Sequence, residues 1–341
     1  MNEITAPALR GGQAMPFLAA LGVLGLLAYE LGEPDATLGW PEPGGPARFS
    51  VSGMDSLDDL AASLAALASR MREADELLPG AGPDFPPRKR GKGTDPTRSV
   101  PFGTGREWAV AQQGALADAP SWLRSVFATN DATSRQHRTP GRLLRHPIFD
   151  AGPGTVSMST TLENARDSAT EADAMLRSLT TGYRVPGSIG GYLDWRADRD
   201  GSQAGSAKDA STAFGDPVAT WLGLMSIRLT ALVADGDRAV CGMMPRASGR
   251  YLRKPLLWPV WSQPLRAEEV EVLLCHSAFR PVEDVRTGAG GRVVGARLGG
   301  RDLDRKLPAL GVHAVFAASR LSKGNNDGAY GPSVQLWPTV E

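Results

Sequence analysis

The sequence predicts a loop-rich α+β fold in which a buried N-terminal helix and several amphipathic helices pack with short, mostly antiparallel strands. Three observations lead there. An almost unbroken apolar run occupies Met15 to Tyr29; apolar residues recur at spacings of three and four further on, giving way after residue 239 mainly to short β-branched and aromatic runs; and the 40 glycines and 26 prolines fall between these periodic segments. With 341 residues and 42% apolar composition, the chain can bury the core of one large domain or two ordinary ones. A division near residue 150 is one reading, with a helical, loop-rich region at 1–150 carrying basic loops and an α+β region at 151–341. No linker is clean enough to require it.

The Met15–Tyr29 run is shorter than the roughly 20 apolar residues of a membrane span, and it ends at Glu30 and Glu33, so it is expected to be a core helix rather than an anchor or a secretory signal. No membrane partner is expected. Its small residues Ala19, Ala20, Gly22 and Gly25 would admit a neighbour close to the backbone. After a Pro/Gly turn at 41–46, Arg48–Val51 reads as a strand. Leu57, Leu60, Leu64, Leu67 and Met71 then mark a helix that Asp55 can cap and Pro79-Gly80 stops. Residues 79–105 lack either periodicity and read as a mobile loop. Helical patterns resume at Glu107–Leu116, Ser121–Ala128 and Leu162–Leu179, with a polar loop at 129–142. Asp216-Pro217 supplies an N-cap and a first-turn proline for a helix carrying Trp221 through Leu232. Ala239–Met244, Leu256–Trp261, Arg292–Leu298, Val312–Ala318 and Val334–Trp337 read as strands, the last at a sheet edge, and Ala267–Cys275 as a short helix.

Catalytic and metal-binding patterns are missing from the linear sequence. Cys241 and Cys275 read as buried small apolar residues, and two cysteines without a signal sequence fit a reducing, cytoplasmic setting. His137, His146, His276 and His313 are not at metal-ligand spacing, and His146 near Asp150 reads as a hydrogen-bonded surface group. In DWRADRDG, Asp198, Asp200 and Gly201 match three positions of a calcium loop, but Arg196 and Ala207 occupy its first and twelfth. Gly91-Lys92-Gly93 lacks the remainder of a phosphate loop, and GAGGRVVG at 288–295 reads as a hairpin turn. No G-x-S-x-G elbow occurs. No catalytic residue, metal or cofactor is therefore expected.

Charge is balanced overall, at 37 basic and 37 acidic residues, yet it is unevenly distributed. Arg88, Lys89, Arg90, Lys92 and Arg98 face one acid, Asp95, within 88–98. Arg135, Arg138, Arg142 and Arg145 face none within 134–146, and Arg246, Arg250, Arg253 and Lys254 form a third cluster. The acids gather at 55–76 and 163–173. Basic loops rich in Ser, Thr and Gly suit phosphate contacts; ordinary solvated loops are the competing reading. In the stretch 319–338, Lys323 could hold a phosphate, Asn325 or Asn326 could reach a base edge and Tyr330 could stack, with a plain turn at Asn326-Asp327-Gly328 as the alternative.

Several stretches together carry a family resemblance. LRGGQAMPFLAALGVLGLLAYELG with Leu38-Gly39-Trp40, then GYLDWRADRD, STAFGDPVATWLGLMSIRL from Ser211, LLWPVWSQPL and KGNNDGAYGPSVQLWP, covering about half of the chain, resemble subunits encoded in type I-G (formerly I-U) CRISPR-Cas loci. The match lies mainly in apolar residues, and residues 79–150 are outside it. The resemblance implies a non-catalytic subunit that packs on CRISPR RNA (crRNA) and on other effector subunits of a Cascade-like complex and helps hold target DNA, with base pairing reading the sequence. Contacts would come from Arg88, Lys89, Arg90, Lys92, Arg135, Arg138, Arg142, Arg145, Arg250, Arg253, Lys254, Lys323 and Asn325. The alternatives are a purely structural scaffold, or a magnesium-dependent nuclease using Asp194, Asp198 or Asp200.

Overall fold

The apolar N-terminal run folds as the sequence predicts, into a helix with no polar face along most of its length. In the computed structural model, which describes residues 1–83, 85–86, 88, 119–130, 142–149, 157–183, 185–186, 214–235, 238–244, 255–276, 278, 286–287, 293–295, 298, 302–323 and 326–338, helix α1 spans Ala14–Glu30 and every residue from Phe17 to Leu27 is buried. Strand β1 (Asn2–Arg10) precedes it; β2 (Thr37–Gly39) and β3 (Pro46–Val51) follow, then α2 (Leu57–Glu73). The next elements are α3 (Ala119–Val126), β4 (Phe127–Asn130), β5 (Arg142–Arg145) and a 3-10 turn at Pro147–Phe149. After them come α4 (Met158–Ser168), α5 (Ala172–Thr180), β6 (Val185–Pro186), β7 (Phe214–Gly215) and α6 (Pro217–Met225), which runs into a 3-10 turn at Ser226–Leu229. The remainder is β8 (Leu232–Asp235), β9 (Arg238–Cys241), β10 (Leu256–Trp261), β11 (Leu265–Arg266), α7 (Ala267–Leu274), β12 (Arg286–Thr287), β13 (Val293–Gly295), α8 (Leu303–Ala309), β14 (Val312–Ala318), β15 (Arg320–Lys323), β16 (Asn326–Tyr330) and β17 (Val334–Trp337). This is a mixed α+β fold.

Every strand pairing among the described residues is antiparallel. One sheet has the order β1-β3-β2-β11 and a second β10-β14-β17, which puts β17 at an edge as predicted. Helix α1 lies between these sheets and α6. Phe17 of α1 is stacked on Trp40 and Trp258 at centroid distances of 5.3 and 5.7 Å and meets Trp261 edge-on at 6.2 Å. Burying an indole strands its N–H unless an acceptor is supplied. Here Trp40 donates to the Leu9 carbonyl (3.1 Å), Trp258 to Gly11 (2.8 Å) and Trp261 to Leu38 (2.7 Å), so the aromatic cluster also ties the two sheets to the start of α1.

Glycine makes the α1–α6 contact possible. A Cβ on Gly22 would stand 1.7 Å from the Leu222 carbonyl oxygen, so the two helix backbones approach closer than any side chain allows. Asp216 caps α6 as its sequence predicts: the buried carboxylate accepts from Ala219 N (2.8 Å), Tyr183 N (2.7 Å) and Ser178 Oγ (2.9 Å).

The structure corrects several local readings. Helix α2 is capped by Ser56 rather than Asp55, the Ser56 Oγ accepting from Asp59 N at 3.1 Å, and it ends at Glu73, before Pro79. The single helix expected over Leu162–Leu179 is two, α4 and α5. Thr170 falls between them, its hydroxyl donating to Asp167 O (3.1 Å) while its carbonyl receives Ser69 Oγ from α2 (3.3 Å). The helix expected to reach Leu232 gives way after Met225 to the 3-10 turn and β8. The first described part of 79–105 is packed, not mobile: Ala81 and Phe85 are buried, and Pro79 accepts the Trp122 indole N–H at 2.8 Å. Cys275 is exposed, because it follows the last turn of α7 on its solvent side, whereas Cys241 is buried as expected. The expected helix at Glu107–Leu116 lies outside the described residues. Among the described residues, no helix is long and apolar enough to cross a membrane.

Candidate nucleic-acid interface

Two hairpins lie close in sequence to two of the basic segments. Strands β4 and β5 pair from Phe127↔Arg145 to Asn130↔Arg142, and β8 and β9 from Leu232↔Cys241 to Asp235↔Arg238; the two hairpins pack against each other. Their footing is buried and polar. Arg228, only 8% exposed, lies over the rings of Tyr29 (4.3 Å) and Trp122 (5.2 Å) and is ion-paired with Glu30, tying α1 and α3 to the 3-10 turn before β8. Burial lowers its guanidinium to about 10. Burial and the adjacent Glu271 carboxylate raise the Tyr29 phenol, which donates to Glu271 Oε1 at 3.1 Å.

His146 closes the base of the first hairpin. Its Nδ1 accepts from Ile148 N (3.1 Å), so the ring proton is on Nε2, which donates to Thr230 Oγ1 (3.0 Å); the Thr230 hydroxyl in turn donates to Ile227 O (2.9 Å). It is hydrogen-bonded, as the sequence implied, but buried rather than on the surface. Asp150 lies outside the described residues.

Of the predicted contact residues, Arg88 is placed in full. Its Nη2 donates to Asp75 Oδ1 (2.7 Å) and Asp75 O (2.6 Å), its Nη1 to Glu163 Oε1 (3.2 Å) and its Nε to Pro83 O (3.3 Å). All three nitrogens thus face protein acceptors. Arg142 and Arg145 stand at the two ends of β5, and Lys323 ends β15 opposite Asn326. Lys89, Arg90, Lys92, Arg135, Arg138, Arg250, Arg253, Lys254 and Asn325 lie outside the described residues, as do Asp194, Asp198 and Asp200. Tyr330 does not present a stacking face: it is fully buried, with the Arg320 guanidinium 4.3 Å from its ring centroid. Asn326, Asp327 and Gly328 belong to strand β16 rather than to a turn, Asn326 pairing with Lys323.

The fold brings the described edges of the three basic segments into one neighbourhood. Phe85, three residues before Arg88, meets Phe127 of β4 edge-on at 6.2 Å. Asn130 and Arg142, paired, bracket 131–141. Met243 O accepts Leu257 N at 2.7 Å, joining the two ends of the stretch that contains 246–254, just beyond β9. Sequence order alone hides this, since the segments are separated by more than 30 residues.

A cavity of ≈ 390 Å³ opens elsewhere, where the end of β1 and the start of α1 meet the end of α5; Arg10, Gln13, Thr180, Thr181 and Ser333 are among its lining residues. Arg10 had no assigned role in the sequence, and nothing but its place before the apolar run marks it. Among the described residues, no group of three or more His, Cys, Asp or Glu is arranged to hold a metal ion. No family model matches this chain and no curated protein matches it.

Proposed function

We propose that this chain is a non-catalytic subunit of an RNA-guided, Cascade-like CRISPR surveillance complex in the cytoplasm, contacting crRNA or target DNA backbone through its basic segments at 88–98, 134–146 and 246–254. The observation that supports this reading is that described residues bordering the three basic segments lie at or near the two packed hairpins. Several basic segments acting together would give a multi-point contact with a phosphodiester chain, whereas single cations give only isolated contacts. Arg88 then serves as the foot of its segment, held by Asp75 and Glu163, and the phosphate contacts fall to Lys89, Arg90 and Lys92 beyond it.

Salt dependence tests the reading. Each phosphate neutralised contributes about 0.9 to the slope of log affinity against log salt for duplex DNA and about 0.7 for single strands, so replacing Lys89, Arg90 and Lys92 by Glu should lower that slope by roughly 2–3 and weaken binding to all sequences alike. Arg88 is left in place, because removing it breaks two ion pairs and confounds stability with binding. An unchanged slope and affinity in the triple variant would favour the scaffold reading. Failure of the purified chain, alone and with the products of neighbouring genes, to bind RNA or DNA or to join a ribonucleoprotein would overturn the proposal.

A further inference from the structure

The two cysteines are 34 positions apart in sequence but adjacent in the fold. A Cβ placed on Gly242 would stand 1.8 Å from the Leu274 carbonyl oxygen and 3.3 Å from Cys275 Cα, so the backbone immediately after Cys241 touches the backbone that carries Cys275. Both residues lie at the end of an element. Cys241 is the last residue of β9, where the chain turns so that Met244 N donates to Cys241 O at 3.0 Å; Cys275 is the first residue beyond α7. A disulfide requires Cα atoms about 4.4–6.8 Å apart. One chain step of about 3.8 Å separates Cys241 from the contact at Gly242. The pair is also asymmetric. Cys275 is exposed and Cys241 is buried. Burial pushes the Cys241 thiol up to about 12, and the nearby Cys275 adds to the rise.

From this juxtaposition we infer that Cys241 and Cys275 are a redox pair, which a peroxide converts to an intramolecular disulfide fastening the β8–β9 hairpin to the end of α7. The Cys275 thiolate attacks one peroxide oxygen; the O–O bond breaks, and the departing hydroxide takes up the thiol proton as water, leaving a sulfenic acid on Cys275. The Cys241 sulfur then attacks the Cys275 sulfur. The S–O bond breaks, the hydroxide leaves with the Cys241 proton as a second water, and the S–S bond forms. Two thiols are oxidised and one peroxide is reduced. The sequence between the two cysteines includes residues 246–254, one of the three basic segments. The inference does not depend on that segment binding nucleic acid.

The test uses the full chain, reduced and then treated with hydrogen peroxide, with free thiols blocked by N-ethylmaleimide and sulfenic acid trapped by dimedone. Intact mass should show the loss of two hydrogens and of both maleimide sites, peptide mapping should join the peptides containing Cys241 and Cys275, and dithiothreitol should reverse both changes. Cys241→Ser should accumulate dimedone adduct at Cys275 that the native chain does not retain, and Cys275→Ser should lose both adduct and bridge. If the native chain keeps the dimedone adduct at Cys275 without a bridge, or is cross-linked only between molecules, the redox pair is refuted. The native-chain mass alone decides this even if a serine variant fails to fold.

Discussion

Replacing Gly22 by Ala should destabilise the protein, although alanine is the better helix former. Gly22 lies within α1, where the Gly-to-Ala change by itself returns about 1 kcal/mol of helix propensity. The new methyl, however, would stand 1.7 Å from the Leu222 carbonyl oxygen and 2.6 Å from its carbonyl carbon. These are backbone atoms of α6 and cannot rotate away, so α1 and α6 must separate along a contact that buries both helices. Overpacking costs about 1–3 kcal/mol where side chains can yield and more where they cannot. With backbone on both sides, we expect the upper end of that range and a net loss of about 2 kcal/mol after the propensity gain. Three residues further along α1, Gly25 supplies the control: its Cβ would meet nothing closer than Leu229 Cγ at 3.7 Å, an ordinary contact. Gly25→Ala should therefore be neutral or stabilising by up to about 1 kcal/mol. At about 2.1 cal/mol/K per residue, unfolding entropy for a chain of this size converts 2 kcal/mol into a fall of roughly 3 °C in thermal midpoint. Differential scanning fluorimetry of both variants beside the native chain reads the difference, and urea midpoints check it. Gly22→Ala as stable as Gly25→Ala would refute the close approach of the two helices.

Asp216→Ala should cost about 3 kcal/mol or more, well beyond an ordinary cap, because it leaves Ala219 N, Tyr183 N and Ser178 Oγ without their buried acceptor; a urea midpoint within experimental error of the native one would contradict that. The His313 ring is held below its usual pKa by burial, and its Nε2 has no hydrogen-bond partner. The unfolded chain therefore binds a proton at a pH where the folded chain does not, so this residue's contribution is full above the unfolded value near 6.5 and is lost as pH falls towards the folded value. His313→Gln should flatten the stability profile below about pH 6.5, and an unchanged profile would count against the assignment.

Which elements could be read from the sequence depended on whether one local signal decided them. Helix α1 was legible because a run buried on all sides needs no periodicity, and α6 because Asp216 and Pro217 specify a helix start by their own chemistry. Strand β1 was not. Its buried residues are Ile4, Ala6 and Leu9, and an irregularity in its pairing with β3 between Ala6 and Arg10 turns a spacing of two into three, which erases the alternation. Helix α8 hides behind Pro308, and the β15–β16 hairpin behind a Gly-rich composition. The break between α4 and α5 is a tertiary effect: Arg72 and Ser69 of α2 bond Thr170 where apolar spacing alone would continue the helix.

The charges of the candidate interface were legible as clusters, but their partners were not. Asp75 and Glu163, which hold Arg88, lie 13 and 75 positions away from it, and only folding makes the three residues one unit. The zero net charge consequently says little about binding. Fields at a protein surface decay over about 8 Å at physiological salt, so an acid more than that distance from a basic segment does not neutralise it for a phosphate in contact with that segment. Acids spread over the rest of the sequence balance the count for the whole chain, yet within 134–146 there are four arginines and no acid at all. What a phosphate meets is the local balance. By that measure, a phosphate bound as proposed would meet a basic segment on a neutral chain, and the salt slope of Lys89, Arg90 and Lys92 replacement would measure how many charges of their segment act together.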